Sequence, residues 1–266
     1  MLRGEEHRVN RFSKWMAMSV GVMALVIAVA CGTTSQSSSR TQMRVVPLSP
    51  DSPALDLVID NKVLFGGMTY GVPTAFASVT AINHDLKLNV TSSSQNLIDH
   101  TAESFAAGTS YTYLVTGFAS STTGGVQTSR LIDDHTVADK GNFKLRVVNG
   151  SPNSGPVDVY IVPTNTDFTK TIVAPTIGGL ASNAPSTYQS LASGGYEIFV
   201  TRGGDYSCLA AQQLPEPPTG CLINLNGLNG TAVPAFQAGQ NRTLIMLNEV
   251  GGLGTYTTLP MLADLN

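Results

Sequence analysis

Between residues 55 and 59, Leu55, Leu57 and Ile59 share one face of the chain and Asp56 and Val58 the other. A period of two marks a half-buried β-strand, and here it turns the Asp56 carboxylate away from the core face. Asp60-Asn61-Lys62 then leads into Val63-Leu64-Phe65, which predicts a hairpin. A short strand at residues 44–46 precedes this unit. Segments of the same character follow at 75–79, 86–90, 111–116 and 126–132, and again at 144–148, 157–162, 172–174 and 196–201, separated by Gly, Asn, Ser or Pro. No stretch keeps a helical period with caps over three turns. The pattern predicts an all-β protein.

The pattern also occurs twice. Arg44-Val45-Val46, Ser49-Pro50-Asp51 and Leu55-Asp56-Leu57 return as Arg146-Val147-Val148, Ser151-Pro152-Asn153 and Val157-Asp158-Val159, in one register because 146 − 44 and 158 − 56 both equal 102. Farther along, Phe105 and Gly108 face Phe236 and Gly239 at an offset of 236 − 105 = 131, and the copies close on residues 131–134 and 261–264. The offset has grown by 131 − 102 = 29 residues, so the second copy carries insertions, of which the visible one is 203–231. A repeat of roughly one hundred residues is long enough to enclose its own core. Two tandem domains are therefore expected, at residues 43–140 and 141–266, with the stretch from Asp133-Asp134-His135 to Gly141 as a solvated linker.

The N-terminus reads differently. Arg8, Arg11 and Lys14 precede an apolar run at residues 15–30, shorter than the roughly 20 residues a membrane span needs, so residues 1–30 are predicted to be an export signal. The run ends Ala28-Val29-Ala30-Cys31-Gly32, which resembles a bacterial lipobox with Cys31 as the lipid attachment site. Ala28-Val29-Ala30 is equally an ordinary signal-peptidase site, and both routes cut the same bond. Residues 31–42 are rich in Ser and Thr without apolar periodicity and are predicted to be a flexible, lipidated tether.

Composition narrows the setting. Charged residues are 12% of the chain against the usual quarter, and the balance is Ser, Thr, Asn and Gly, which suits a sheet protein in an extracellular medium. A net charge of −3 supplies no basic field, so no nucleic-acid partner is expected.

The Arg-Val-Val strand, the Ser-Pro turn, the Val-Asp-Val-Tyr strand and the later Gly-Tyr strand, duplicated in this order, resemble the DUF4397 family of bacterial surface and secreted proteins. The resemblance covers about residues 43–134 and 143–264. It implies tandem immunoglobulin-like antiparallel β-sandwiches outside the cytoplasm, and it carries no catalytic residue with it.

Candidate chemistry is sparse. After the export signal the histidines are His84, His100 and His135, with none in the second copy, and they are expected to be solvated loop residues. No nucleophile elbow or zinc helix is present, so no catalytic set is assigned. Asp56 and Asp158 sit at equivalent places and invite a cation. Calcium, however, needs six to eight oxygens, so bonding to a neighbouring backbone or to Arg44 or Arg146 is the preferred reading. Asp133, Asp134 and His135 form a second, weaker metal candidate. No metal and no cofactor are expected.

Cys208 and Cys221 flank a proline-rich loop in a chain expected to be exported, and they are predicted to form a disulfide; two thiols without a nearby His fall short of a zinc site. The stapled insertion at 203–231 is the expected contact surface. The reading is of a non-enzymatic lipoprotein of the bacterial cell envelope, at the outer membrane or cell surface, or secreted if unlipidated. Its partners would be the membrane, through Cys31, and an envelope glycan, wall polymer or protein. A structural spacer is the first alternative and an envelope hydrolase the second.

Overall fold

The computed structural model describes residues 39–93, 95–123, 125–168, 173–210, 221–225, 233–248 and 256–265. The export signal, Cys31 and most of the tether lie outside them. Among the described residues no helix is long and apolar enough to cross a membrane.

The first sandwich is two four-stranded sheets. One has the order β4-β1-β7-β8, from β1 (Arg40–Pro47), β4 (Ala77–Thr80), β7 (Ser110–Thr116) and β8 (Gln127–Ile132). The other is β3-β2-β5-β6, from β2 (Leu55–Ile59), β3 (Lys62–Met68), β5 (Asn83–Val90) and β6 (Asn96–Ser104). The predicted hairpin is the β2–β3 connection, a two-residue turn in which Asp60 and Asn61 both take positive φ. β1 starts at Arg40, so the last residues assigned to the tether already pair with β4. All pairings but one are antiparallel. The exception is β1 on β7, which run parallel because the first strand crosses over to pair beside the one that closes the sandwich.

The second half repeats the plan. β9 (Asn142–Asn149) lies parallel to β17 (Asn241–Leu247), flanked by β12 (Ala184–Pro185), β13 (Gln189–Ala192), β18 (Thr257–Thr258) and β19 (Leu262–Leu265). The facing sheet holds β10 (Val157–Pro163), β11 (Ile177–Leu180), β14 (Gly194–Arg202), β15 (Ile223–Leu225) and β16 (Ala235–Phe236). The pairing registers give three offsets between the copies. β1 and β2 match β9 and β10 at 102, β5 matches β14 at 112 (Leu88 and Val200, each paired to the equivalent Leu57 and Val159), and β7 matches β17 at 131. The extra length thus falls in two places: after β10, where no strand forms at 173–174, and after β14.

The central strands are buried on both faces. Met43, Val45, Tyr111, Tyr113 and Val115 point into the first core, and Phe143, Leu145, Val147, Leu244 and Met246 into the second. On the opposite faces Val46, Leu48, Leu114 and Leu131 pack with Val148, Ile245, Leu247 and Leu259 in one apolar cluster. The two sandwiches therefore dock through these outer faces, and alternation along Arg44-Val45-Val46 sends the arginine to the same junction.

Candidate functional site

At the junction the two arginines of the repeated motif are exchanged between the copies. Arg44 donates from Nη2 to Asp264 Oδ1 at 2.5 Å, from Nη1 to the Ala263 carbonyl and from Nε to Thr112. Arg146 donates from Nη2 to Asp133 Oδ1 at 2.7 Å, from Nη1 to the Ile132 carbonyl and from Nε to Thr243. Thr112 in turn donates to Asp133, and Thr243 to Asp264. Phe76 lies 4.6 Å below the Arg44 guanidinium, and its equivalent Tyr188 lies 4.7 Å from that of Arg146. All four charged side chains are buried, each neutralised and hydrogen-bonded. The arrangement is a reciprocal clamp with approximate twofold symmetry.

The clamp corrects the alignment of the closing segments. Leu131-Ile132-Asp133 matches Leu262-Ala263-Asp264, one residue away from the pairing of Asp134 with Asp264, and restores the offset of 131. Asp133 is thus no metal ligand but an ion-pair partner. Asp134 bonds Lys144 at 2.6 Å and caps Thr136; burial raises its pKa, but the bonds from Lys144 and Thr136 outweigh this and hold it below the usual carboxylate range. His135 is exposed and joins no cluster. The segment expected to be a solvated linker is tied down at Asp133 and Asp134. Among the described residues no group of three or more His, Cys, Asp or Glu could hold a metal ion.

Asp56 and Asp158 bond backbone and hydroxyl groups, not the arginines. Asp56 accepts from the Gly67 amide and Thr91, and Asp158 from the Gly179 and Gly204 amides, each at 2.6–2.8 Å. Gly67 and Gly179 are equivalent and both take positive φ. The repeated carboxylates brace turns beside their strands.

The histidines differ from expectation at two positions, since His84 lies on β5 and His100 on β6 rather than in loops. His84 is buried, with Nδ1 against Asp60 at 2.5 Å and Nε2 against the Thr80 carbonyl at 2.9 Å. The bond from His84, and after it the Asp85 amide, lowers the Asp60 pKa. With both ring nitrogens engaged, His84 has no position from which to take a proton from a nucleophile. Its equivalent in the second copy is Tyr196, whose hydroxyl bonds the matching Ala192 carbonyl at 2.6 Å and whose ring likewise packs on a phenylalanine. His84 therefore fills a core position. His100 bonds Thr128.

Cys208 and Cys221 form the predicted disulfide. Of the insertion expected to be a contact surface, only residues 203–210 and 221–225 are described, and the rest lies outside the described residues. Cys208, Leu209, Tyr206 and Cys221 join Phe168 and Val173 over Tyr160, Val162 and Phe199 on the outer face of β10 and β14. In the first copy those three sheet positions are Val58, which is buried, Asp60, which is exposed, and Lys87, which is half-buried. Two polar positions of the first copy are thus apolar in the second, which enlarges the face that the insertion covers.

A surface cleft remains in the first sandwich. Among the described residues the outer edges of β3 and β4 pair with no other strand, and between them opens a space of about 420 Å³. Its apolar lining is Ile59, Val63, Leu64 and Val79, and Arg40, Asp60, Lys62, Ser78 and Thr80 add polar groups. Val63 is 60% exposed.

The sheets define the class: a nearly all-β protein of two docked β-sandwiches. A domain of the family described as "Domain of unknown function (DUF4397)" is found at residues 41–160, which takes in the first sandwich, β9 and the start of β10. No relative is matched among curated proteins. Among solved structures the chain is similar to CBMbc, a family CBM26 module from Eubacterium rectale Amy13K crystallised with maltoheptaose. The identity is 10% and the TM-score 0.24, over 82% of this chain and 95% of that one, too low a score to transfer fold detail or ligand.

Proposed function

We propose that the protein is a non-enzymatic module of the bacterial cell envelope, a tandem pair of DUF4397-type sandwiches at residues 43–140 and 141–266, anchored through a lipid on Cys31 and binding a protein partner. The cleft between β3 and β4 carries this reading: two unpaired strand edges flank exposed apolar side chains, the arrangement that receives an extended polypeptide as an added strand. The roles of Arg44, Arg146, Asp133, Asp264 and His84 support it, because each potential catalytic or ligand group is already occupied in holding the fold. A protein fits better than a glycan or wall polymer. Sugars favour open aromatic faces, and among the described residues the one large exposed aromatic, Phe76, has the Arg44 guanidinium over its ring.

The test is cross-linking in envelopes from a photoreactive residue at Lys62, with Val63→Glu as control. A discrete cross-linked protein that disappears with Val63→Glu is the expected result. Cross-links unaffected by Val63→Glu, or turnover of an envelope polymer by the purified chain, would refute the reading. The anchor is tested separately: a mass increase at Cys31 that globomycin abolishes is expected, and cleavage without a mass increase would mean a secreted protein.

A further inference from the structure

The two copies diverge most sharply in what fills the space between the sheets beside β7 and its equivalent β17. In the first copy this place is plugged. Arg130 donates to Glu103 at 2.8 Å and to the Ser104 carbonyl at 2.7 Å, its guanidinium lies over Tyr111, and the Tyr113 hydroxyl also reaches Glu103. The space left beside Tyr113 and Thr128 is about 10 Å³.

At the offset of 131, the two tyrosines and the ion pair of that plug are all replaced. Tyr111 becomes Arg242, Tyr113 becomes Leu244, Glu103 becomes Pro234 and Arg130 becomes Met261, while Thr128 keeps a threonine counterpart in Thr258. Two aromatic rings and an ion pair are thereby lost, and a pocket of about 350 Å³ opens, lined by these four replacements together with Phe236, Thr258, Leu259 and others. Phe236, Leu244 and Leu259 are otherwise buried. Arg242 is the one charged group in the lining, and among the described residues its side chain makes no hydrogen bond or ion pair.

We propose that this pocket of the second sandwich is a binding site for a small amphipathic carboxylate, its apolar body against Phe236, Leu244, Leu259 and Met261 and its carboxylate on Arg242. The volume lies at the lower end of small-ligand pockets, enough for a body of about eight to ten carbons. A guanidinium at an apolar wall selects a planar anion over an alcohol or an amine. The site is separate from the β3–β4 cleft and does not depend on it.

The experiment is calorimetric titration of the Cys31→Ser chain, which carries no acyl group, with decanoate below its micelle concentration, and with decanol and decylamine in parallel. Saturable one-to-one binding of decanoate, weaker binding of decanol and none of decylamine are expected. Leu244→Tyr, which restores the first copy's residue, should abolish binding. Arg242→Gln, at a half-buried position, should weaken decanoate about tenfold or more and remove its preference over decanol. No binding by the parent chain would overturn the proposal, as would binding that Arg242→Gln leaves unchanged.

Discussion

Arg44 and Asp264 lie 220 residues apart in sequence and 2.5 Å apart in the structure, and the reciprocal pair Arg146 and Asp133 does the same work in the other direction. Neither copy contains both halves of its own closest ion pair. The duplicated Arg-Val-Val segment is thus the means by which two sandwiches become one compact unit. Breaking either pair leaves a buried charge without its partner, which costs about 3–5 kcal/mol. Asp264→Ala and Asp133→Ala should each lower stability by that order in urea titration. Because Thr112, Thr243 and the four charges share contacts, the double variant should depart from the sum of the singles.

A pH effect follows from the phenols at the same junction. Tyr70 of the first sandwich donates to the Asn248 carbonyl of the second, and burial pushes its pKa up to about 12. Tyr188 donates to Asp264, and burial raises its pKa as well. A raised folded-state pKa stabilises fully below the ordinary value near 10 and ceases to do so as pH rises through the folded value. Stability should therefore hold to about pH 10 and fall above it. Absorbance titration of the phenolates beside stability measurements checks this, with Tyr70→Phe removing the part near pH 12.

Much of this was readable from the chain, and the exceptions have physical causes. Alternation at Leu55, Leu57 and Ile59 located β2, and the 102-residue register located its twin, because strands packed into equivalent cores must keep the same in–out pattern. β6 was missed because it is an edge strand whose residues, Asn96 through Ser104, are mostly polar and only partly buried. The clamp was missed because its carboxylates sit at an offset of 131 while its arginines sit at 102. Extending the Phe105–Phe236 register to the chain end would have paired Asp133 with Asp264. The same register would have set Tyr111 against Arg242 and Tyr113 against Leu244, but only three-dimensional pairing shows that those substitutions leave a space.

His84 provides a direct test of scaffold against chemistry. If its role is to fill a core position and bond the Thr80 carbonyl, the second copy's residue should replace it. His84→Tyr is expected to change stability by no more than about 1 kcal/mol, while His84→Ala, which leaves a cavity and an unpaired carbonyl, costs about 2–3 kcal/mol. Asp60 reports on the same pair. Its lowered pKa stabilises above the ordinary carboxylate value and is lost as pH falls through the folded one, so the variant should lose part of its acid-range stability dependence. NMR titration of the Asp60 carboxyl gives the shift directly.

The disulfide separates local from global stability. Cys208 and Cys221, with Tyr206 and Leu209, pack over Tyr160, Val162 and Phe199, where the first copy has Val58, Asp60 and Lys87. Removing a crosslink over so short a loop costs roughly 3 kcal/mol in the chain-entropy model. The sandwich cores on the other side of β10 and β14 are independent of it, since Val159, Ile161, Ile198 and Val200 pack inward. A Cys208→Ala, Cys221→Ala chain should keep its far-ultraviolet dichroism and its clamp while binding an apolar dye and exchanging the amides of residues 205–210 faster. Replacing Phe199 by Lys and Val162 by Asp in the same chain, as in the first copy, should strongly reduce the dye binding, because two of the three apolar positions under the insertion would then be charged. If the double-cysteine variant instead unfolds as a whole, the insertion is part of the main core and not a cover over it.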